Sequence, residues 1–266
     1  MTTDRTEPEL IEAARGGDQG ALMVLLERHR DAVYRFGMRM CSRPADAEDV
    51  VQETLLTAAH KLASFRGEAA FTSWLYAIAR SACFRRRRAD ARTDAWDGAE
   101  PVDSSPHPEE ALSRQRLHSI LERAVSSLEP SYREVLLLRD AEGLTAPETA
   151  AALDLSVAAV KSRLHRARQM LRDRIEGLVR PQPGVPPPPR CPDVVGWVSA
   201  RVEEDLTPKA CAELETRLAK CGDPAGEFDS LRRLLHACRE TAGPEVPEKL
   251  KESIKLALQG AAVEKS

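Results

Sequence analysis

The chain has 266 residues, a formal net charge of −3, 42% hydrophobic residues and only 4% aromatics. That length favours two or three small domains, and the abundance of Arg, Ala, Leu and Glu favours helices. No apolar run approaches the roughly 18 residues needed to span a bilayer, and residues 1–20 are polar and acidic with no signal-peptide pattern. These features argue against membrane insertion and lead us to expect a cytoplasmic protein, in which six cysteines serve as thiols or metal ligands rather than as a disulfide framework.

The elements follow in chain order. Residues 8–88 read as a first helical domain. Leu22, Leu25, Leu26, Val33, Phe36 and Met40 form one helical stripe. The run Cys41-Ser42-Arg43-Pro44 breaks it, and a second helix is expected from near Asp46, with Val50, Val51, Thr54, Leu55 and Ala58 on one side. After a loop from Ser64 to Ala70, a further helix is expected from about Phe71 to Arg87, its core face formed by Phe71, Trp74, Leu75, Ile78 and Ala82. Residues 89–112, rich in Asp, Ala, Pro and Ser, read as a linker. Helical pattern resumes over residues 113–180. Residues 181–190 are a Pro-rich, extended spacer, and residues 191–266 form a third, smaller helical unit.

Charge is segregated along this plan. Residues 61–88 hold seven basic residues and one acidic, residues 89–112 one basic and seven acidic, and residues 157–174 six basic and one acidic. Two basic blocks separated by an acidic strip suggest two contacts with a polyanion; solvated helix faces are the plain alternative.

The second block sits in a helix-turn-helix pattern. Thr145-Ala146-Pro147-Glu148 is a capping box, with proline tolerated in the first turn because its missing N–H would be free anyway. A short helix passes through Ala150 and Ala152 and ends at Leu153-Asp154-Leu155. Ser156 then caps a second helix that begins at Val157. Val160, Leu164, Ala167 and Leu171 recur at helical spacing and should face the core. Ala158, Ala159, Lys161, Ser162, Arg163, His165 and Arg166 are left to face outward or flank the interface, where Arg reads guanine and Lys or Ser anchors phosphate.

The first block mixes rings and guanidinium groups. Phe65, Phe71, Trp74, Tyr76 and Phe84 lie among Arg66, Arg80 and Arg85 to Arg88, a combination suited to single-stranded nucleic acid. Phe71 and Trp74 fall on the apolar face and should be core. The loop Ser64 to Glu68, which a packed bundle does not need, is expected to be functional.

Together these residues resemble the extracytoplasmic-function (ECF) branch of bacterial RNA polymerase sigma factors. Asp46-Ala47-Glu48-Asp49-Val50-Val51-Gln52-Glu53-Thr54-Leu55 resembles the region 2 helix by which that family grips polymerase. Phe65 to Glu68 and Phe71 to Arg80 resemble the part that melts and reads the −10 element. Glu134 to Asp140 and Val160 to Arg168 resemble region 4, which reads −35. The resemblance covers about residues 8–178. It implies an all-α fold of two sigma domains joined by the acidic linker and followed by a small helical domain. Its partners would be core RNA polymerase and promoter DNA, with a separate anti-sigma factor as a further candidate partner.

The resemblance also assigns roles. Asp46, Glu48, Asp49, Gln52 and Glu53 would face polymerase. Phe65 and Arg66 would capture a flipped base, and Arg80, Phe84, Arg85, Arg87 and Arg88 would track the −10 strand. Ser156, Ala158, Ala159, Lys161, Ser162, Arg163 and Arg166 would engage −35, and the linker would thread the RNA-exit path. The chain departs from the family pattern at Ser81, where Asn is usual, at Asp154, where Gly is common in the turn, and at Ala146-Pro147.

Residues 191–240 resemble a degenerate zinc-binding anti-sigma domain. Cys191 and Cys221 match its ligand pattern, but Arg217 and Pro224 replace two others, and two ligands do not make a structural zinc site. Cys211, Cys238 and His236 are weak candidates for a rebuilt site; small core hydrophobes are the preferred reading of the cysteines, and no cofactor is expected. Pro247 to Gln259, with Leu250, Ile254 and Leu258 on one face, is an amphipathic helix suited either to docking on the sigma domains or to completing the small domain. Cys41 and Cys83 are expected to be buried. A metal- or redox-responsive helix-turn-helix regulator acting without polymerase is the alternative function. No metalloprotease, phosphate-loop or nucleophile motif occurs, so no enzymatic activity is expected.

Overall fold

Thr6 opens the first helix with its backbone N–H and its hydroxyl, both of which donate to Glu9 Oε2, at 2.7 and 2.9 Å. This is α1 (Glu7–Arg15). Gly17, at φ +95°, takes the left-handed conformation that reverses the chain. Asp18 then accepts from the Ala21 N–H at 3.0 Å to cap α2 (Gln19–Met40). Cys41 turns extended, and Pro44 starts α3 (Pro44–Lys61), where a missing N–H costs nothing. That start lies slightly before the expected one near Asp46. A 3₁₀ turn, Leu62–Ser64, leads to the loop before α4 (Phe71–Asp90).

The computed structural model describes residues 5–41, 43–67, 70–90, 119–178 and 245–263. They are helical, with no strand among them. Ala89 and Asp90, expected to open the linker, still belong to α4; residues 91–112, the Pro-rich spacer, and Cys191, Cys211, Cys221, His236 and Cys238 lie outside the described residues.

The chain divides into two compact units. One comprises residues 1–102 and 242–266 with the four residues 151–154; the other comprises residues 103–150 and 155–241. In the front unit, α1 packs on α2, and α3 packs on both α2 and α4. Leu25, Leu26, Val33, Phe36 and Met40 of α2 are buried, as are Val50, Val51, Thr54, Leu55 and Ala58 of α3. The core face of α4 is Phe71, Leu75, Tyr76, Ala79, Ala82 and Cys83, whereas Trp74 and Ile78, expected there, are half-buried. Phe36 meets Tyr76 edge to face at 5.2 Å between ring centres.

The front unit also holds the C-terminal helix α9, Glu248–Val263. Val246, Leu250, Ile254 and Leu258 are buried, and α9 lies on α2 and α3. This amphipathic segment docks on the front unit, the first of the two uses its pattern leaves open. Each such side chain contributes roughly 1.5–3 kcal/mol of burial, an upper figure because unfolded chains already hide part of their apolar surface.

In the rear unit, the helical residues 119–126 (α5) precede α6 (Pro130–Leu136), which widens into a π-helical turn at Leu137–Ala141. Then follow α7 (Ala146–Leu153), whose last three residues are grouped with the front unit, and α8 (Val157–Leu178). Leu121, Val125, Leu128 and Val135 to Leu138 form a core with Val160, Leu164, Ala167 and Leu171. The last four are the residues that the spacing of α8 assigns to its inner face. Arg133 is buried because its guanidinium donates to the carbonyls of Ser126 and Leu128, the latter at 2.9 Å, closing the chain end between α5 and α6.

Candidate nucleic-acid interface

The helix-turn-helix is built from its caps. The Thr145 hydroxyl donates to Glu148 Oε2 at 2.7 Å and accepts from the Glu148 N–H at 3.3 Å, while the Thr145 N–H donates to the same carboxylate oxygen at 2.7 Å. These bonds hold the Glu148 carboxyl below its ordinary range, the hydroxyl contributing most. Gly143, at φ +75°, provides the reversal before this cap. At the other end of α7, Asp154 takes φ +54°, a left-handed position with a side chain where glycine fits without cost. The Ser156 hydroxyl then accepts from the Ala159 N–H at 3.1 Å and starts α8.

The first turns of α8 are open. Ser156, Val157, Ala158, Ser162 and Arg166 are exposed, while Ala159, Lys161, Arg163 and His165 are half-buried along the flank. The expected −35 residues therefore lie along the outward face of one helix and its two flanks, with small residues at its tip and cations behind them. Such a tip can enter a major groove while the cations meet phosphate. The Ser156 hydroxyl is committed to the cap. Val157, absent from the expected set, is exposed at the tip; its place directly after the cap was the signal that could have found it. Arg168, counted with the basic block, is fully buried.

The front unit brings the expected polymerase face and the expected −10 strand contacts together. Asp49 Oδ2 accepts from Arg86 Nη1 at 2.7 Å, and Glu53 accepts from Arg85, joining α3 to the end of α4. Asp49 is exposed, and Glu48, Gln52 and Glu53 are half-buried. Asp46 departs from this face. It is only 7% exposed, because Arg43 grips both of its oxygens, Nε to Oδ2 at 2.8 Å and Nη2 to Oδ1 at 3.2 Å. Arg86, which the sequence singles out only as part of the run Arg85 to Arg88, occupies a central place. Asp49 and Glu53 lie one turn apart on α3, but spacing along one helix carries no signal of a partner on another.

Further along α4, the Arg80 guanidinium lies 5.0 Å from the Phe84 ring centre, a cation–π contact that fixes both side chains. Arg88 is exposed and Arg87 half-buried. Phe65 corrects the expectation of an exposed base-capturing loop. It is 7% exposed, with ring centres 5.5 Å from Phe71 and 5.2 Å from Trp74, because a ring at this point fills the end of the bundle. Arg66 and Gly67 beside it are exposed, and Gly67, at φ +75°, gives the loop its reversal.

Cys41 and Cys83 are buried free thiols with sulfurs 3.3 Å apart. The hydrogen bond between them lowers the Cys41 thiol below its ordinary value, with Arg86 and Arg87 assisting, and raises that of Cys83. Among the described residues no cluster of three or more His, Cys, Asp or Glu side chains could hold a metal ion, and no helix is long and apolar enough to cross a membrane.

Comparison with known proteins places these surfaces in a family. Sigma-70 region 2 matches residues 25–93, and Sigma-70, region 4 matches residues 118–171. The ECF RNA polymerase sigma-E factor of Salmonella typhimurium is 33% identical over 192 residues, covering 68% of this chain and 100% of the relative. ECF RNA polymerase sigma factor SigE of Mycolicibacterium smegmatis is 35% identical over 166 residues, 59% of this chain and 63% of that protein. Among solved structures, CnrH in complex with the cytosolic domain of CnrY is 28% identical and covers 63% of this chain and 96% of that one, with a TM-score of 0.49. Carrying both sigma regions in order and spanning the whole of a sigma-E relative, this chain belongs to the ECF sigma factor family.

Proposed function

We propose a division of labour for a chain that, as an ECF sigma factor, directs core RNA polymerase to promoters. The front unit meets polymerase through Glu48, Asp49, Gln52 and Glu53 of α3. Arg66, Arg80, Phe84, Arg85, Arg87 and Arg88 follow the separated −10 strand, with Phe65 shaping the loop from inside. The rear unit lays α8 in the −35 major groove, where Ala158, Ala159 and Ser162 approach base edges and Lys161, Arg163 and Arg166 meet phosphate or guanine. The acidic linker joins the two. The chain brings no catalytic residue; polymerase performs the chemistry, and the cytoplasm is where the two meet.

The observation that carries this reading is the pairing of Asp49 with Arg86 and of Glu53 with Arg85. A regulator that only binds duplex DNA has no use for an acidic helix face bonded to the start of an arginine run. It also accounts for the rear unit alone, and a sigma factor accounts for both. Residues 191–240 enter the reading as a regulatory extension derived from an anti-sigma module, without an intact zinc ligand set.

Run-off transcription with core polymerase on a broad promoter pool tests the reading. Transcripts that depend on added protein are expected; none from any promoter would contradict it.

A further inference from the structure

We propose that α9 is a built-in competitor of polymerase: the groove it fills between α2 and α3 adjoins the α3 surface that polymerase takes. This inference rests on the assignment of α3 to polymerase made above. The groove is formed by Met23 and Leu26 of α2 and Leu55 of α3, with Glu27 and Arg30 of α2 at its rim. Ile254 and Leu258 close it, at 4% and 3% exposure.

Leu55 decides the location. Glu48, Gln52 and Leu55 follow one another at steps of four and three, so they share one stripe of α3. Glu48 and Gln52 are half-buried, whereas Asp49, between them in sequence, is exposed. A helix seated on Leu55 covers the C-terminal end of that stripe, one turn from Gln52 and two from Glu48, and so borders the volume that a partner gripping it takes.

Charge points the same way. Lys251 and Lys255 of α9 also line the groove. A partner that recognises the acidic face of α3 presents positive charge there, and Lys255 supplies that sign, whereas Lys251 is paired with Glu248 of its own helix at 2.6 Å. The contact is intramolecular, so α9 acts at a high effective concentration and returns whenever polymerase leaves. The outer face carries Leu256 at 68% exposure, the most exposed large hydrophobic side chain among the described residues.

If α9 must leave before polymerase binds, the apparent affinity of the whole chain is lowered by the fraction of molecules with α9 released. The test is a titration of core polymerase with three forms of the full chain. The first is the parent. The second carries Ile254→Asp and Leu258→Asp, which put charge into the apolar groove. The third has a protease site inserted in residues 181–189, is cut there and diluted; it leaves every front-unit and α9 residue unchanged. Tighter binding by about tenfold or more is expected for the second and third forms. Circular dichroism checks that the second stays folded, and if it does not, the cut chain decides. Equal or weaker binding of the altered forms overturns the competitor role and leaves the sigma assignment standing. Absence of binding by all three overturns the sigma assignment, and this inference with it.

Discussion

Arg168 is fully buried in α8 and grips Asp140 through two hydrogen bonds, Nε to Oδ2 at 2.9 Å and Nη2 to Oδ1 at 2.6 Å. Asp140 sits in the π-helical turn after α6, so the pair fastens α8 to the helix before the helix-turn-helix. Removing one partner takes a two-point ion-pair contact away from a buried charge. Arg168→Met or Asp140→Leu alone should cost about 3–5 kcal/mol in the denaturation of the rear unit. The double variant should cost much less than the sum of the two. Additive losses would contradict this coupling.

The turn between α7 and α8 holds Asp154 at φ +54°. Aspartate tolerates the left-handed region better than most residues, but glycine needs no tolerance. Asp154→Gly should leave stability unchanged or raise it by up to about 1 kcal/mol, the gain limited by glycine's larger unfolded-state entropy. Asp154→Val should lower it by at least about 1 kcal/mol. Thermal melts of the two variants against the parent give the order directly, and a valine variant as stable as the glycine variant would contradict the strain argument.

The cap of α7 should be sensitive to acid. The Glu148 carboxyl is held below its ordinary range, first by the Thr145 hydroxyl and then by the Thr145 backbone N–H. A folded value below the unfolded one means that its stabilisation is complete above the unfolded range near ~4.3 and is lost as pH falls through the lower folded value. At pH 7 Glu148→Ala should melt below the parent, and the gap should narrow as both are acidified towards pH 3. A constant gap would mean that the carboxylate is not the active part of the cap.

The bridges between α3 and α4 are exposed, and their role should divide accordingly. Asp49 and Arg86 keep side-chain exposures of 53% and 31%, which places the pair among surface bridges. Asp49→Ala should change folding stability by less than about 1 kcal/mol. It should nonetheless weaken the complex with core polymerase, whereas an unchanged affinity would remove Asp49 from the polymerase face.

Much of this was legible in the sequence for an identifiable reason. The capping box at Thr145, the Ser156 cap and the inner face of α8 depend on residues close together in the chain, and local chemistry settles them. Asp46 and Phe65 were misplaced because their burial depends on something else: the reach of Arg43 in one case, and in the other the space left at the bundle end by Phe71 and Trp74. The bridges of Asp49 and Glu53 to Arg86 and Arg85, and of Arg168 to Asp140, cross between helices far apart in sequence, and spacing along one helix does not announce them. Docking of α9 was open from its pattern alone, since Leu250, Ile254 and Leu258 form an apolar stripe that names no partner.

The most direct test of the central claim is footprinting of the polymerase complex on a promoter it selects. The account predicts two separate marks. An upstream duplex footprint should be lost when Lys161 and Arg163 are replaced by alanine, and a downstream patch of reactive unpaired bases should be lost when Arg80 and Arg88 are replaced. A single duplex footprint, made equally well without polymerase and with no unpaired bases, would contradict it.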